Sequence, residues 1–128
     1  MKNFLRYWLP VYVYAGLIFY FSSLPTIPPF IIEIIPEILI WHMIEYAIFS
    51  ILLLRAFINS KNITFRKNAI YLAITIAIFY GITDEIHQYF VPGRTFDVLD
   101  MVADSVGSAL ILTKKVFDKH KLYFKRQS

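Results

Sequence analysis

Hydrophobic positions in this chain do not alternate in pairs or mark out one narrow helical face; they run on. Four predominantly apolar stretches, at about residues 5–21, 38–57, 69–90 and 96–113, are separated by short polar or proline-bearing segments. Each is close to the ~20 residues that an α-helix needs to cross a hydrocarbon core ~30 Å thick. The expected architecture is therefore an all-α membrane protein, four transmembrane helices in one bundle, with residues 1–128 as a single domain. Pro10 either kinks the first span or sits in its first turn. The connection SSLPTIPPFIIEIIPE, residues 22–37, holds four prolines, too many for a fifth span. It is also too apolar for a freely solvated loop, so it is expected to lie in the interface over one mouth of the bundle.

Composition agrees with lipid as the solvent. The chain is 58% hydrophobic, against roughly 45 to 50% in soluble domains. Lys2 and Arg6 before the first run could be read as the charged start of a cleaved signal peptide, but the run is longer than an ordinary signal core. No A-x-A-like cleavage site follows it, so it is expected to remain as a span. With no cysteine, neither disulfides nor thiolate metal ligands are available.

The basic residues suggest an orientation. Lys2 and Arg6 precede the first span, and Arg55, Lys61, Arg66 and Lys67 fall at or within the second connection. Lys114, Lys115, Lys119, Lys121, Lys125 and Arg126 follow the fourth span, leaving only Arg94 of the thirteen elsewhere. The positive-inside rule then puts both termini and the middle connection in the cytoplasm and the other two connections outside. The tail KKVFDKHKLYFKR, in residues 114–128, is expected against anionic lipid headgroups, with no nucleic acid partner.

That orientation gathers the polar groups. His42 and Glu45 open the second span, Asp84, Glu85, His87 and Gln88 close the third, and Asp97, Asp100 and Asp104 open the fourth, all at the outer face. Asp97, Asp100 and Asp104 share one helical face, continued by Gly107, Ser108 and Ile111; Asp84, His87 and Gln88 share another with Tyr80; His42, Glu45 and Tyr46 form a third stripe. A carboxylate in the hydrocarbon zone costs roughly 2.5 to 3.5 kcal/mol, so these faces should turn towards protein or a wet cavity. Their expected partners are the two nearby histidines and Arg94. In VPGRT, Pro92 and Gly93 suit a tight turn and Thr95 is placed to cap the helix that follows.

Blander readings compete at several positions. Charges at span ends are commonly solvated boundary residues, which suits Glu33, Glu37, Asp97 and Arg94. His42 alone would be an interface residue, Tyr46 and Tyr80 packing residues, and the Ala103/Gly107 pair a helix contact. Asp84, Glu85, Asp100 and Asp104 together exceed what anchoring requires, and intramembrane ionisable groups are functional by default.

The string DEIHQYFVPGRTFDVLDMVADSVG, with HMIEYAIFS upstream, resembles the VanZ-like family of small bacterial membrane proteins. The matching positions are Asp84, Glu85, Gln88, Pro92, Gly93, Arg94, Asp97, Asp100 and Gly107, with His42 and Tyr46 for the upstream element, over roughly residues 8–113. Two departures stand out: Ile40 and Trp41 where family members often have Asp-Lys, and Asp104 where they have Asn. The resemblance implies a multi-pass cell-membrane protein whose namesake accompanies glycopeptide-resistance operons and is associated with teicoplanin resistance. A lipid-linked cell-envelope precursor or an amphiphilic glycopeptide is accordingly an expected partner, beside membrane lipids.

The residues themselves leave two classes open. In one, Asp84, Glu85, His42 and Asp100 are catalytic, while Gln88, Arg94, His87, Glu45, Asp97 and Asp104 bind a cell-envelope substrate. Asp84, Glu85 and Asp100 could then hold a divalent metal cation: magnesium, calcium or manganese, or zinc with a histidine. In the other, there is no turnover, and the charges are a structural salt-bridge network in an accessory or scaffold protein. A transporter would need more spans than one chain provides, hence a homo-oligomer. No nucleophile elbow, phosphate-cradling glycine loop or H-E-x-x-H element is present.

Overall fold

The computed structural model describes residues 2–26 and 38–113. Residues 27–37 of the expected interfacial cover and the whole of the expected headgroup-bound tail 114–128 lie outside the described residues. The order is α1 (Lys2–Tyr7), α2 (Leu9–Ser22), α3 (Ile38–Ile58), α4 (Ile63–Lys67), α5 (Ala69–Tyr89) and α6 (Val98–Ala109), with no strand among the described residues.

The break between α1 and α2 has a local cause. Pro10 lacks the N–H that would bond the Arg6 carbonyl, and its ring crowds that carbonyl. The helix therefore restarts at Leu9, with Pro10 in its first turn. Two bonds carry the chain across the break, Trp8 N–H to the Phe4 carbonyl at 2.8 Å and Tyr12 N–H to the Trp8 carbonyl at 3.1 Å. Phe4–Ser22, 19 residues, is thus long and apolar enough to cross a membrane, as are Ile38–Ile58 and Ala69–Tyr89 with 21 residues each.

The fourth expected span differs. Its regular helix is the 12 residues Val98–Ala109, about 18 Å at ~1.5 Å per residue, well short of a ~30 Å core. Among the described residues three helices, rather than four, meet the requirement for crossing. The run loses two residues at its start and four at its end, where the regular helix stops at Ala109. Asp97 accepts a hydrogen bond from Leu99 N–H at 2.7 Å and so begins the helix two residues later than its apolar pattern does. Asp97, not Thr95, is the cap.

Packing explains why α6 nevertheless belongs to the bundle. It lies most extensively against α3, and also against α5. Gly107 lets it come close: a Cβ there would overlap the Met43 carbonyl oxygen and stand 2.8 Å from the Met43 Cα. Ala69, Ala73, Ala77 and Gly81 recur every four residues on α5 and are all buried, the small-residue ridge typical of close helix contacts in lipid. Tyr46, Phe49, Leu53, Leu54 and Phe57 fill the centre from α3. Outward lie Tyr12, Leu17, Ile51, Tyr71 and Phe79, the last 64% exposed; such a surface is a liability in water and ordinary in lipid.

The bundle's two ends differ in charge. Arg55 closes α3 with its guanidinium 5.2 Å from the Tyr7 ring, where Arg6 also sits over that ring at 5.5 Å. His42 and Glu45 lie three or so turns away at the opposite end of α3, where α5 ends and α6 begins.

Candidate functional site

At the acidic end two hydrogen-bonded chains meet. The first starts at the last residue of α2. Ser22 Oγ donates to Asp84 Oδ1 at 2.6 Å, Gln88 Nε2 donates to Asp84 Oδ2 at 3.2 Å, and Arg94 donates to Gln88 Oε1 through Nη2 at 2.6 Å and Nε at 3.2 Å. Asp84 and Gln88 meet because they are four residues apart on one helical face. Arg94 reaches back because Val91–Arg94 is a tight turn, closed by Arg94 N–H to the Val91 carbonyl at 3.1 Å. Pro92 and Gly93 are its central residues, and Gly93 has φ +85°, the left-handed value that such a turn demands at its third position.

The second chain joins α3 to α6. His42 Nδ1 donates to Asp104 Oδ1 at 2.9 Å, while Nε2 lies 3.6 Å from Asp100 Oδ2. Glu85, wholly buried, accepts from Asp97 N–H through Oε2 at 3.0 Å. Its other oxygen, Oε1, has no hydrogen-bond partner among the described residues; neither do the buried atoms Asp100 Oδ1, Asp104 Oδ2 and Tyr46 Oη. Gly81 leaves room for Asp104, since a Cβ there would lie 2.9 Å from Oδ2. Buried oxygens are normally satisfied, so this concentration of unpartnered ones marks the site apart from the rest of the bundle.

Between α2, α3 and α5 is a cavity of about 30 Å³ whose polar wall is Ser22, His42, Glu45, Asp84, Gln88 and Arg94, with Trp41 and Ile38 beside them. It has room for a water or one small ligand group.

Each anticipated residue can now be placed. His42, Glu85, Asp100 and Asp104 converge, as do Asp84, Gln88, Arg94 and Glu45 around the cavity. Asp97 is a helix cap. His87 stands aside: its Nε2 is 2.9 Å from Ser23 Oγ and its ring stacks on Phe19 at 4.5 Å. The expected pairing of Arg94 with a carboxylate is not what is found. The guanidinium is held by the neutral Gln88 carbonyl and has no salt-bridge partner among the described residues. The three candidate ligand atoms that lie together, within 4.8 Å of one another, come from His42, Glu85 and Asp100; Asp84 is not among them. Sequence reasoning missed Ser22, Ser23 and Trp41, although two serines ending an apolar run just before a proline were a visible signal.

Fold and site together define a small helical membrane protein with an ionisable site buried at one end of its bundle. The sequence matches the VanZ/LLP1 family over residues 8–113, and the chain belongs to that family. No curated protein and no solved structure matches it.

Proposed function

We propose that this VanZ-like membrane protein binds, at the outer face of the cell membrane, an amphiphile whose headgroup carries an anionic and a cationic group close together. The observation that carries this reading is the cavity's mixed wall. Arg94 presents a guanidinium without a carboxylate partner among the described residues, and Glu45 and Asp84 present carboxyls to the same cavity. A phosphate or carboxylate suits Arg94, and an amine suits the acidic side. The volume of about 30 Å³ admits one small group, so only part of the headgroup would enter and the rest of the molecule would stay in the interface. Lipid-linked cell-envelope precursors and amphiphilic glycopeptides can both meet this description, and any link to teicoplanin resistance would run through it. If there is turnover, Asp84, Glu85, His42 and Asp100 are the acid–base groups, with Gln88, Glu45, Asp97 and Asp104 as their supports. The outward orientation rests on the basic residues gathered at the opposite end.

Trp41 lines the cavity and Trp8 is the only other tryptophan. In a Trp8→Phe background, short-chain phosphatidylethanolamine titrated into the purified protein in detergent should shift Trp41 emission. Phosphatidylglycerol should bind at least about tenfold more weakly, and Arg94→Gln or Glu45→Gln should each cost a similar factor, equivalent to ~1.4 kcal/mol. Equal response to both lipids, or indifference to both substitutions, would defeat the reading.

A second reading has its own support. Both oxygens of Asp84 are satisfied, and its chain ties α2 to α5 and to the turn before α6. In a scaffold protein without turnover that chain would be a structural network.

A further inference from the structure

We infer that His42, Glu85 and Asp100 form a binding site for a divalent transition-metal cation of the zinc type. Three observations meet there. Each residue offers a ligand atom, and the three atoms lie within 4.8 Å of one another. Two ligands ~2.1 Å from a tetrahedral ion stand ~3.4 Å apart, and His42 Nε2 and Asp100 Oδ2 are already at 3.6 Å. Modest side-chain closure by Glu85 completes the set.

The supporting contacts leave the ligand atoms free. Asp104 Oδ1 stands 2.9 Å from His42 Nδ1, a carboxylate placed to take the Nδ1 proton and leave Nε2 to a cation. This is the carboxylate–histidine arrangement that orients metal-binding imidazoles. Glu85 spends Oε2 on Asp97 N–H and keeps Oε1, buried in a wholly enclosed side chain with no partner among the described residues. Asp100 Oδ1 is likewise unpartnered. Electron-rich atoms are thus gathered within the reach of one cation. One imidazole among the donors favours zinc or iron over magnesium, calcium or manganese. Three protein ligands leave a coordination position open, as catalytic rather than structural sites do.

The test is direct and separate from the headgroup titration. Purified protein, stripped with chelator and dialysed against Zn²⁺, should retain one ion per chain by elemental analysis and melt at a higher temperature than the stripped form. Glu85→Gln and Asp100→Asn should each lose retention. Asp104→Asn, which leaves all three ligands in place, should weaken affinity about 10- to 100-fold. His87→Gln should change nothing. Should a ligand variant fail to fold, the wild-type titration and Asp104→Asn still decide. No retained zinc in the folded wild type, as expected if a protonated His42 merely pairs with Asp100, overturns the site, and so does full affinity in Asp104→Asn or Asp100→Asn.

Discussion

One methyl group at Gly107 probes the geometry on which the site depends. A Cβ there overlaps the Met43 carbonyl oxygen and lies 2.8 Å from the Met43 Cα and 2.9 Å from its carbonyl carbon. Carbon atoms settle at roughly 3.5 to 4.0 Å, so α6 would have to retreat from α3 by on the order of 0.7 Å. The obstacle is backbone and cannot rotate aside. Met43 adjoins His42, and Gly107 lies one turn from Asp104, so the same retreat stretches their 2.9 Å hydrogen bond out of range. Overpacking typically costs about 1 to 3 kcal/mol, and a buried polar group left without its partner about 1 to 3 more. Gly107→Ala should therefore lose about 2 to 6 kcal/mol, read as an earlier transition when the micellar protein is heated and its monodisperse fraction is followed by size exclusion. Gly16→Ala is the matched control. A Cβ at Gly16 meets nothing within 4 Å, and alanine is the better helix former by about 0.5 to 1 kcal/mol. A Gly107→Ala protein that melts with the wild type would refute the close approach of α3 and α6 and the site geometry built on it.

Three further outcomes are expected. Glu85→Gln should fold and insert with stability within about 1 kcal/mol of wild type, because Oε1 has no partner to lose and the amide oxygen can still accept from Asp97 N–H. It should be inactive in an assay of the protein's role; a loss of about 3 to 5 kcal/mol would instead make the charge structural. Ser22→Ala removes the 2.6 Å bond to Asp84 and should cost about 1 to 3 kcal/mol in the same melting assay, an unchanged melt showing that water replaces the hydroxyl. In intact cells an impermeant thiol reagent should label Pro92→Cys and spare Lys61→Cys, and the opposite pattern would invert the proposed orientation.

What could be read from the sequence follows from which interactions are local. Apolar run length set the limits of α3 and α5 to within a residue, because lipid imposes one requirement along the whole helix. That His42, Glu85 and Asp100 lie at one end of the bundle was legible, since carboxylates in lipid must turn inward, but helix periodicity grouped Asp84 with His87 and did not single out Glu85 as the residue that joins His42 and Asp100. The extent of α6 was not legible. An apolar count over 96–113 does not register that Asp97 caps the helix late, nor that a 12-residue helix can be held by neighbours instead of by lipid. Partner choice was the other failure. Arg94 found Gln88 and Asp84 found Ser22 through the folding of a turn and the end of a distant helix, which no spacing in the chain encodes.

The shortness of α6 has a bearing on how the protein is made. A segment of 12 residues bearing two carboxylates has little affinity of its own for hydrocarbon, so a translocon would have slight reason to release it sideways into lipid as it does α3 or α5. Its place has to be supplied by the earlier helices, once His42 and Met43 on α3 and the small residues of α5 stand ready to receive it. Seating α6 is the step that brings Asp100 and Asp104 to His42. A nascent chain stalled before that point would already be anchored in the membrane, yet it would hold only half of its acidic centre.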